Sequence, residues 1–206
     1  MIIPSDEDRD LAGFAVLSRL STRWLGRNYF HYSVTTSTQD EVFRRAKRGQ
    51  GEGLVVTADR QISGRGQHGR IWHTFPQTSL SFSFCLPRGC LTTGAQPLPY
   101  RVSRIVSATI GTCIGKSPDV VFPNDVTLAG KKVAGILVEV RDQWAIVGIG
   151  INVNTPEKDF PSPLSTRATS LSEMNGKGCS RRVLFLQLLS NLERDLYSLA
   201  GGESYG

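Results

Sequence analysis

The amino-acid sequence predicts an α+β fold, a mixed β-sheet flanked by helices, and three stretches carry that reading. Leu80, Phe82, Phe84 and Leu86 alternate with Ser79, Ser81, Ser83 and Cys85, the period of two expected of a strand with one buried face. Val102, Ile105, Val106, Ile110, Cys113 and Ile114 recur at helical spacing and place an amphipathic helix over residues 99–115. Residues 132–140 and 144–151 are two largely apolar runs separated by residues 141–143, the pattern of a hairpin.

The remaining elements follow in chain order. Residues 9–24 read as a helix weakened by Gly13, and residues 28–34 as a strand. Ser37, Thr38, Asp40 and Glu41 mark a helix start, with Thr38 and Glu41 at capping-box spacing; that helix runs to Arg48 and stops at Gly49. Residues 54–58 form a short buried strand, residues 59–70 a polar glycine-rich loop, and residues 119–122 another strand. Pro156, Pro161 and Pro163 mark an irregular loop. Ser180 caps a last leucine-rich helix reaching about Leu199, and the closing Gly-Gly-Glu-Ser-Tyr-Gly is expected to fray.

A chain of 206 residues suits one domain, large enough to bury a core without disulfides or a structural metal. No apolar run approaches the ~20 residues that span a bilayer, and the N-terminus turns acidic at once instead of resembling a signal peptide; a cytoplasmic protein with no membrane partner is expected. Cys85, Cys90, Cys113 and Cys179 form no C-x-x-C pair and have no histidine at zinc spacing. They read as reduced thiols. His68 and His73, five apart in a loop, do not match a helical metal pair, so no structural metal is expected. The net charge of +6 fits a nucleic-acid binder, and equally an enzyme handling ATP or an acidic partner. Arg44, Arg45, Lys47 and Arg48 look like a solvated helix face, whereas Arg60, Arg65 and Arg70 are interspersed with glycines.

Four segments are candidates for chemistry. Gly64-Arg65-Gly66-Gln67-His68-Gly69-Arg70 combines glycines, which allow close backbone approach, with arginines able to pair with phosphate or carboxylate. It lacks the G-K-[ST] of a phosphate-binding P-loop, and alone it is equally a flexible basic surface loop. Pro123-Asn124-Asp125 is an ordinary turn composition with two short polar groups. Lys132 opens an otherwise apolar strand, where burial is costly unless it meets an anion or reaches solvent; Lys131, in the turn, is the more obvious solvent-facing residue. Gly148 and Gly150 within a strand imply a close neighbour, either a ligand or a bulge, and Asn152 follows them.

In this order the segments resemble the biotin protein ligase family, whose pattern runs S-T-N, Q-x-x-G-R-G-R-x-G-R-x-W, K-W-P-N-D, G-K-K-x-A-G-I-L-x-E and G-x-G-x-N. Here these stand as Ser37-Thr38-Gln39, residues 61–72, residues 121–125, residues 130–139 and residues 148–152. No single motif is decisive; several in order are specific. The resemblance implies a fold similar to the catalytic core of class II aminoacyl-tRNA synthetases. It also implies a two-step reaction: biotin and ATP give biotinyl-AMP and pyrophosphate, and a lysine of a biotin carboxyl carrier protein, by default that of acetyl-CoA carboxylase, then takes the biotinyl group. By resemblance, Lys132 and Arg65 are catalytic. Ser37, Thr38, Gln39, Gln61, Arg65, Gly66, Gln67, Lys132, Gly135, Gly148 and Gly150 bind biotin. Arg65, Arg70, Trp72, Asn124, Asp125, Lys132 and Asn152 contact nucleotide, with Mg2+ neutralising pyrophosphate.

The chain also departs from that pattern. Gln67 stands where the family has an arginine, with His68 beside it; Val121-Phe122 replaces Lys-Trp; and Gln39 replaces Asn. Residues 1–206 are expected to be one catalytic domain. Some relatives carry an N-terminal winged helix, for which too few residues precede the first strand, so no DNA partner is expected. Many add a C-terminal β-barrel, which is expected to be absent. Oligomeric state is left open, a homodimer included. Two alternatives stand beside this reading. One is a lipoate or octanoyl ligase-transferase of the same superfamily; its octanoyl form needs a cysteine near Lys132. The other is a degenerate biotin-binding module with poor turnover. A non-catalytic nucleic-acid module would need aromatic residues interleaved with the arginines, and the loop has none before Trp72.

Overall fold

A computed structural model describes residues 10–91 and 96–196. The elements are α1 (Gly13–Leu17), β1 (Asn28–Thr35), α2 (Thr38–Ala46), β2 (Leu54–Gln61), β3 (Ser79–Pro87), α3 (Leu98–Ile114), β4 (Asp119–Val121), β5 (Asp125–Leu128), β6 (Lys131–Arg141), β7 (Trp144–Asn152), α4 (Leu171–Asn175) and α5 (Arg181–Leu196). The seven strands form one mixed sheet in the order β1-β2-β3-β7-β6-β5-β4, with β1 and β2 parallel and every other pair antiparallel. The expected mixed sheet flanked by helices is therefore present.

Strand alternation divides the side chains between two faces. Leu80, Phe82, Phe84 and Leu86 on β3 join Val147, Ile149 and Ile151 on β7 in the main core with Val106 and Ile110 of α3 and Phe185 and Leu188 of α5. Phe185 packs edge-on against Phe82, with ring centroids 5.1 Å apart. On the other face, α2 lays Val42 and Ala46 over Leu54, Val56, Cys85 and Ile146. Burial in this second cluster pushes the Cys85 thiol pKa up to about 12, and all four cysteines are thiols. The helices therefore cover one face completely and the other only in part. The uncovered part of the second face is where the candidate site lies.

The structure corrects several sequence expectations. The first helix is five residues long, since Gly13 is its first residue and Ser18 ends it. The capping box does not form: Ser37 is the N-cap and Thr38 the first helical residue, while Glu41 accepts hydrogen bonds from Thr35 and Arg44. Arg45 is half-buried over the ring of Phe30, 3.3 Å from its centroid, and so is not part of a solvated face. β2 extends to Gln61, because parallel pairing with β1 continues to the Thr35–Gln61 pair. β3 is buried on both faces rather than one: Ser79, Ser81 and Ser83 are as inaccessible as the leucines. β5 and α4 were not expected from the sequence. β5 begins at Asp125 itself, so the Pro-Asn-Asp turn is the tight corner of a β4–β5 hairpin. Leu199, Arg9 and the terminal six residues lie outside the described residues. Among the described residues no helix is long and apolar enough to cross a membrane.

Candidate functional site

Register across three strands creates a trough of small residues. Ser81 on β3 lies opposite Gly150 on β7, which lies opposite Gly135 on β6; one step along, Ser83, Gly148 and Leu137 line up in the same way. Because each row lacks bulk at the β7 position, other groups settle directly on the backbone. A Cβ at Gly150 would sit 2.2 Å from Trp72 Cε2, and one at Gly148 would sit 2.5 Å from Gln39 Nε2. The free cavity above this trough is only about 40 Å³, well below the range of about 300–1,000 Å³ common for small-molecule sites, so a ligand enters only where side chains now lying in the cleft move aside. It is narrow, since Trp72 and Gln39 lie across its floor.

One end of the cleft is polar. Gln61 Oε1, at the end of β2, accepts hydrogen bonds from the backbone N–H and hydroxyl of Thr38, at 2.9 and 3.1 Å. The Thr38 hydroxyl also lies 2.8 Å from Ser83 Oγ. Gln39 donates from Nε2 to the Leu137 carbonyl at 3.1 Å, while its Oε1, like Trp72 Nε1, is buried with no hydrogen-bond partner among the described residues. A buried acceptor without a donor is destabilising unless something in the site supplies one.

Lys132 enters from β6. Its Nζ is 2.7 Å from Asp125 Oδ1, and both side chains are about a third exposed. The ammonium lies 5.9 Å from the Trp72 ring centroid, and a Cβ at Gly135 would be 3.0 Å from it. The expectation that Lys132 must meet an anion if buried is thus satisfied within the chain, by Asp125.

Residues 64–72 fold back over the cleft as a narrow loop. Trp72 N donates to the Gly64 carbonyl at 2.9 Å and Gly66 N to the Arg70 carbonyl at 2.7 Å. His68 and Gly69 turn it with φ of +56° and +73°, the left-handed region that glycine adopts freely. Gly64 is required for another reason, since a Cβ there would lie 2.4 Å from the Trp72 carbonyl oxygen. Arg65 makes four side-chain hydrogen bonds to two carboxylates. Nε and one terminal nitrogen donate to Glu139 at 3.0 Å, and both terminal nitrogens donate to Asp40 at 2.9 Å. These hydrogen bonds, to Asp40 and then Glu139, push the Arg65 pKa upward, and the Arg65 guanidinium beside Asp40 holds that carboxyl below its ordinary value.

The structure brings together most residues singled out from the sequence. Ser37, Thr38, Gln39, Gln61, Arg65, Gly66, Gln67, Trp72, Asn124, Lys132, Gly135, Gly148 and Gly150 all line this cleft, and Asp125 reaches it through Lys132. Arg70 and Asn152 are not among the lining residues. Arg70 is exposed, and the buried Asn152 donates to the Thr169 carbonyl at 3.1 Å. Sequence reasoning missed Ser83 and Leu137 in the wall, and Asp40, Glu139 and Arg141 around Arg65. The serines carried a signal: a solvent face of β3 would hold long charged side chains, and this one holds only small residues.

A family model, biotin/lipoate A/B protein ligase, matches residues 31–155. The chain belongs to this family. It is 33% identical over 180 residues to the bifunctional ligase/repressor BirA of Bacillus spizizenii, covering 85% of this chain and 55% of that protein. It is 30% identical over 164 residues to the biotin–[acetyl-CoA-carboxylase] ligase of Mycobacterium tuberculosis, covering 77% and 60%. The chain thus spans little more than half the length of these curated relatives. Among solved structures, the biotin protein ligase of Aquifex aeolicus in complex with biotin and ATP superposes with a TM-score of 0.75 at 32% identity, covering 86% of this chain and 73% of that one. The matched region of the biotin/lipoate ligase family takes in every cleft-lining residue.

Proposed function

We propose that this chain is the catalytic core of a biotin protein ligase, which uses ATP to convert biotin to biotinyl-AMP and passes the biotinyl group to a lysine of a biotin carboxyl carrier protein. One observation carries the reading: the Lys132 ammonium, the glycine–serine trough and the loop 64–72 all face one cleft. A lipoate- or octanoyl-transferring relative that uses a cysteine finds none in this lining.

With the side chains of Trp72 and Gln39 drawn aside from Gly150 and Gly148, the trough receives biotin's fused rings against Gly135, Gly148 and Gly150. The polar end formed by Ser37, Thr38, Gln39 and Gln61 receives the ureido group; the unsatisfied Gln39 Oε1 is an acceptor for an N–H there. In the first step the biotin carboxylate attacks the α-phosphorus of ATP and pyrophosphate leaves. Two anions must come to bonding distance, so fixed positive charge that is best satisfied at the transition state lowers the barrier. Lys132 supplies it, with Arg65, Gly66 and Gln67 on the loop above. Trp72, Asn124 and Asp125 stand on the nucleotide side, where the resemblance also places Arg70 and Asn152. Magnesium bound with ATP would supply positive charge against the leaving pyrophosphate, and Asp125, which lies beside Lys132, is the carboxylate that would face it. In the second step the carrier lysine amine attacks the carbonyl of the mixed anhydride and AMP leaves. A loop closed over the adenylate excludes water meanwhile.

The test is incubation with ATP, magnesium, biotin and a carrier domain, followed by mass measurement of the carrier. A biotinyl mass increment that vanishes in Lys132→Ala supports the reading. No increment with biotin, or a fully active Lys132→Ala, overturns it; lipoate in a parallel sample identifies the sister activity.

A further inference from the structure

Arg65 belongs to a closed ring of four charges. Asp40 Oδ1 accepts from both Arg65 and Arg141, at 2.9 and 2.8 Å, and Glu139 Oε2 accepts from the same two arginines, at 3.0 and 2.7 Å. Three members stand on regular elements, Asp40 on α2 and Glu139 and Arg141 on β6, while Arg65 alone comes from the loop. The scaffold therefore offers a socket of net charge −1 built from two carboxylates and one arginine, and Arg65 is the cation that plugs it. All four side chains are between 24% and 33% exposed, so their attraction is only partly screened. Four of Arg65's five N–H donors are taken up in the socket. An anionic reactant in the cleft can recruit the guanidinium only by drawing it out.

We infer that Arg141 is a positioning residue which sets how readily Arg65 leaves the socket for the anionic reactants. This rests on the ligase reading for the identity of those reactants. Arg141 is not among the residues that line the cleft. Its charge cancels half of the carboxylate charge, so Arg65 is held by a net −1. Without that charge, Asp40 and Glu139 face Arg65 as −2, and withdrawing Arg65 would leave two neighbouring carboxylates uncompensated, an arrangement that opposes ionisation of both. Removing Arg141 thus tightens the loop rather than loosening it. An ordinary strut would do the reverse.

The test uses Arg141→Gln and the double variant Arg141→Gln/Glu139→Gln, which returns the socket to −1. Trypsin cleavage after the exposed Arg70 reports loop opening in the ligand-free protein, and steady-state kinetics with biotin and ATP report Arg65 availability. Arg141→Gln is expected to slow cleavage and raise KM for both reactants on the order of three- to tenfold, with a smaller change in kcat, and the double variant to restore both. Faster cleavage in Arg141→Gln, or a double variant no better than the single, overturns the proposal. If the wild type shows no biotin-dependent turnover, the ligase reading fails, and the cleavage rates still decide whether the socket operates as described.

Discussion

The indole of Trp72, on the loop, rests directly on the backbone of Gly150, on β7, with no room between them for a single methyl group. Gly150→Ala therefore has to push Trp72 off the trough. Because Trp72 lies on a loop, the ring can yield and the sheet need not, so the thermal midpoint is expected to change little. Biotin-dependent ATP–pyrophosphate exchange is expected to fall at least about tenfold, the equivalent of about 1.4 kcal/mol. Melting curves and the exchange assay measured on the same preparation check both halves; a variant as active as wild type shows that Trp72 does not need this seat.

Lys132 and Asp125 pair at 2.7 Å, each about a third exposed. Such a pair contributes less than about 1 kcal/mol to folding, but Asp125 fixes where the ammonium points. Asp125→Asn is expected to leave urea unfolding almost unchanged and to lower kcat for adenylation more than it alters KM for biotin, because a misplaced charge costs most at the transition state. A large loss of stability with unchanged kcat would assign the pair a structural role.

Gln67 lines the cleft where the family pattern has an arginine. With one cation fewer beside the adenylate, free biotinyl-AMP is expected to escape faster and to label non-cognate amines. Gln67→Arg is expected to lower released biotinyl-AMP several-fold in a rapid-quench or filter assay. Equal release from the two proteins removes the electrostatic account of retention.

Much of the site was legible in the sequence because it is written in local motifs: Gly148 and Gly150 inside a strand, the Gly-Arg-rich loop, and Lys132 at the head of an apolar run all line one cleft. What stayed hidden depends on pairing between distant strands. Nothing local says that Ser83 faces Gly148 and Leu137, since that follows from the β3–β7–β6 register. Likewise Asp40, Glu139 and Arg141 look like ordinary surface charges until the fold gathers them on Arg65. The fold class was readable from periodicity, whereas β5 was not: four residues leaving a tight corner carry too short a pattern. Thr38 shows the same limit in reverse. Its spacing to Glu41 promised a cap, but its hydroxyl is needed by Gln61 and Ser83.

The start of α5 rests on the least exposed charge described in the chain. Arg181, 2% exposed, donates to Asp10, to Asp59 at 3.1 Å and to the Ser79 carbonyl at 3.0 Å, tying α5 to β2, β3 and the chain ahead of α1. Asp59 also meets His31 Nε2 at 3.2 Å. Burial alone raises the Asp59 pKa, but the His31 hydrogen bond and charge and the Arg181 guanidinium outweigh it, and the net shift is downward from 3.8. A carboxyl depressed in the folded state contributes stability that is present above its unfolded value and is lost as pH falls through the folded one. Unfolding free energy is therefore expected to be flat with respect to this group near neutral pH and to decline below about pH 5. Asp59→Asn should flatten that acid limb while lowering the plateau. Arg181→Ala, which removes the buried cation from two half-buried carboxylates, is expected to cost about 3–5 kcal/mol. Urea titrations from pH 3 to 8 on the three proteins measure all of this; an Asp59→Asn curve parallel to wild type through the acid limb would show that Asp59 carries none of the proton linkage.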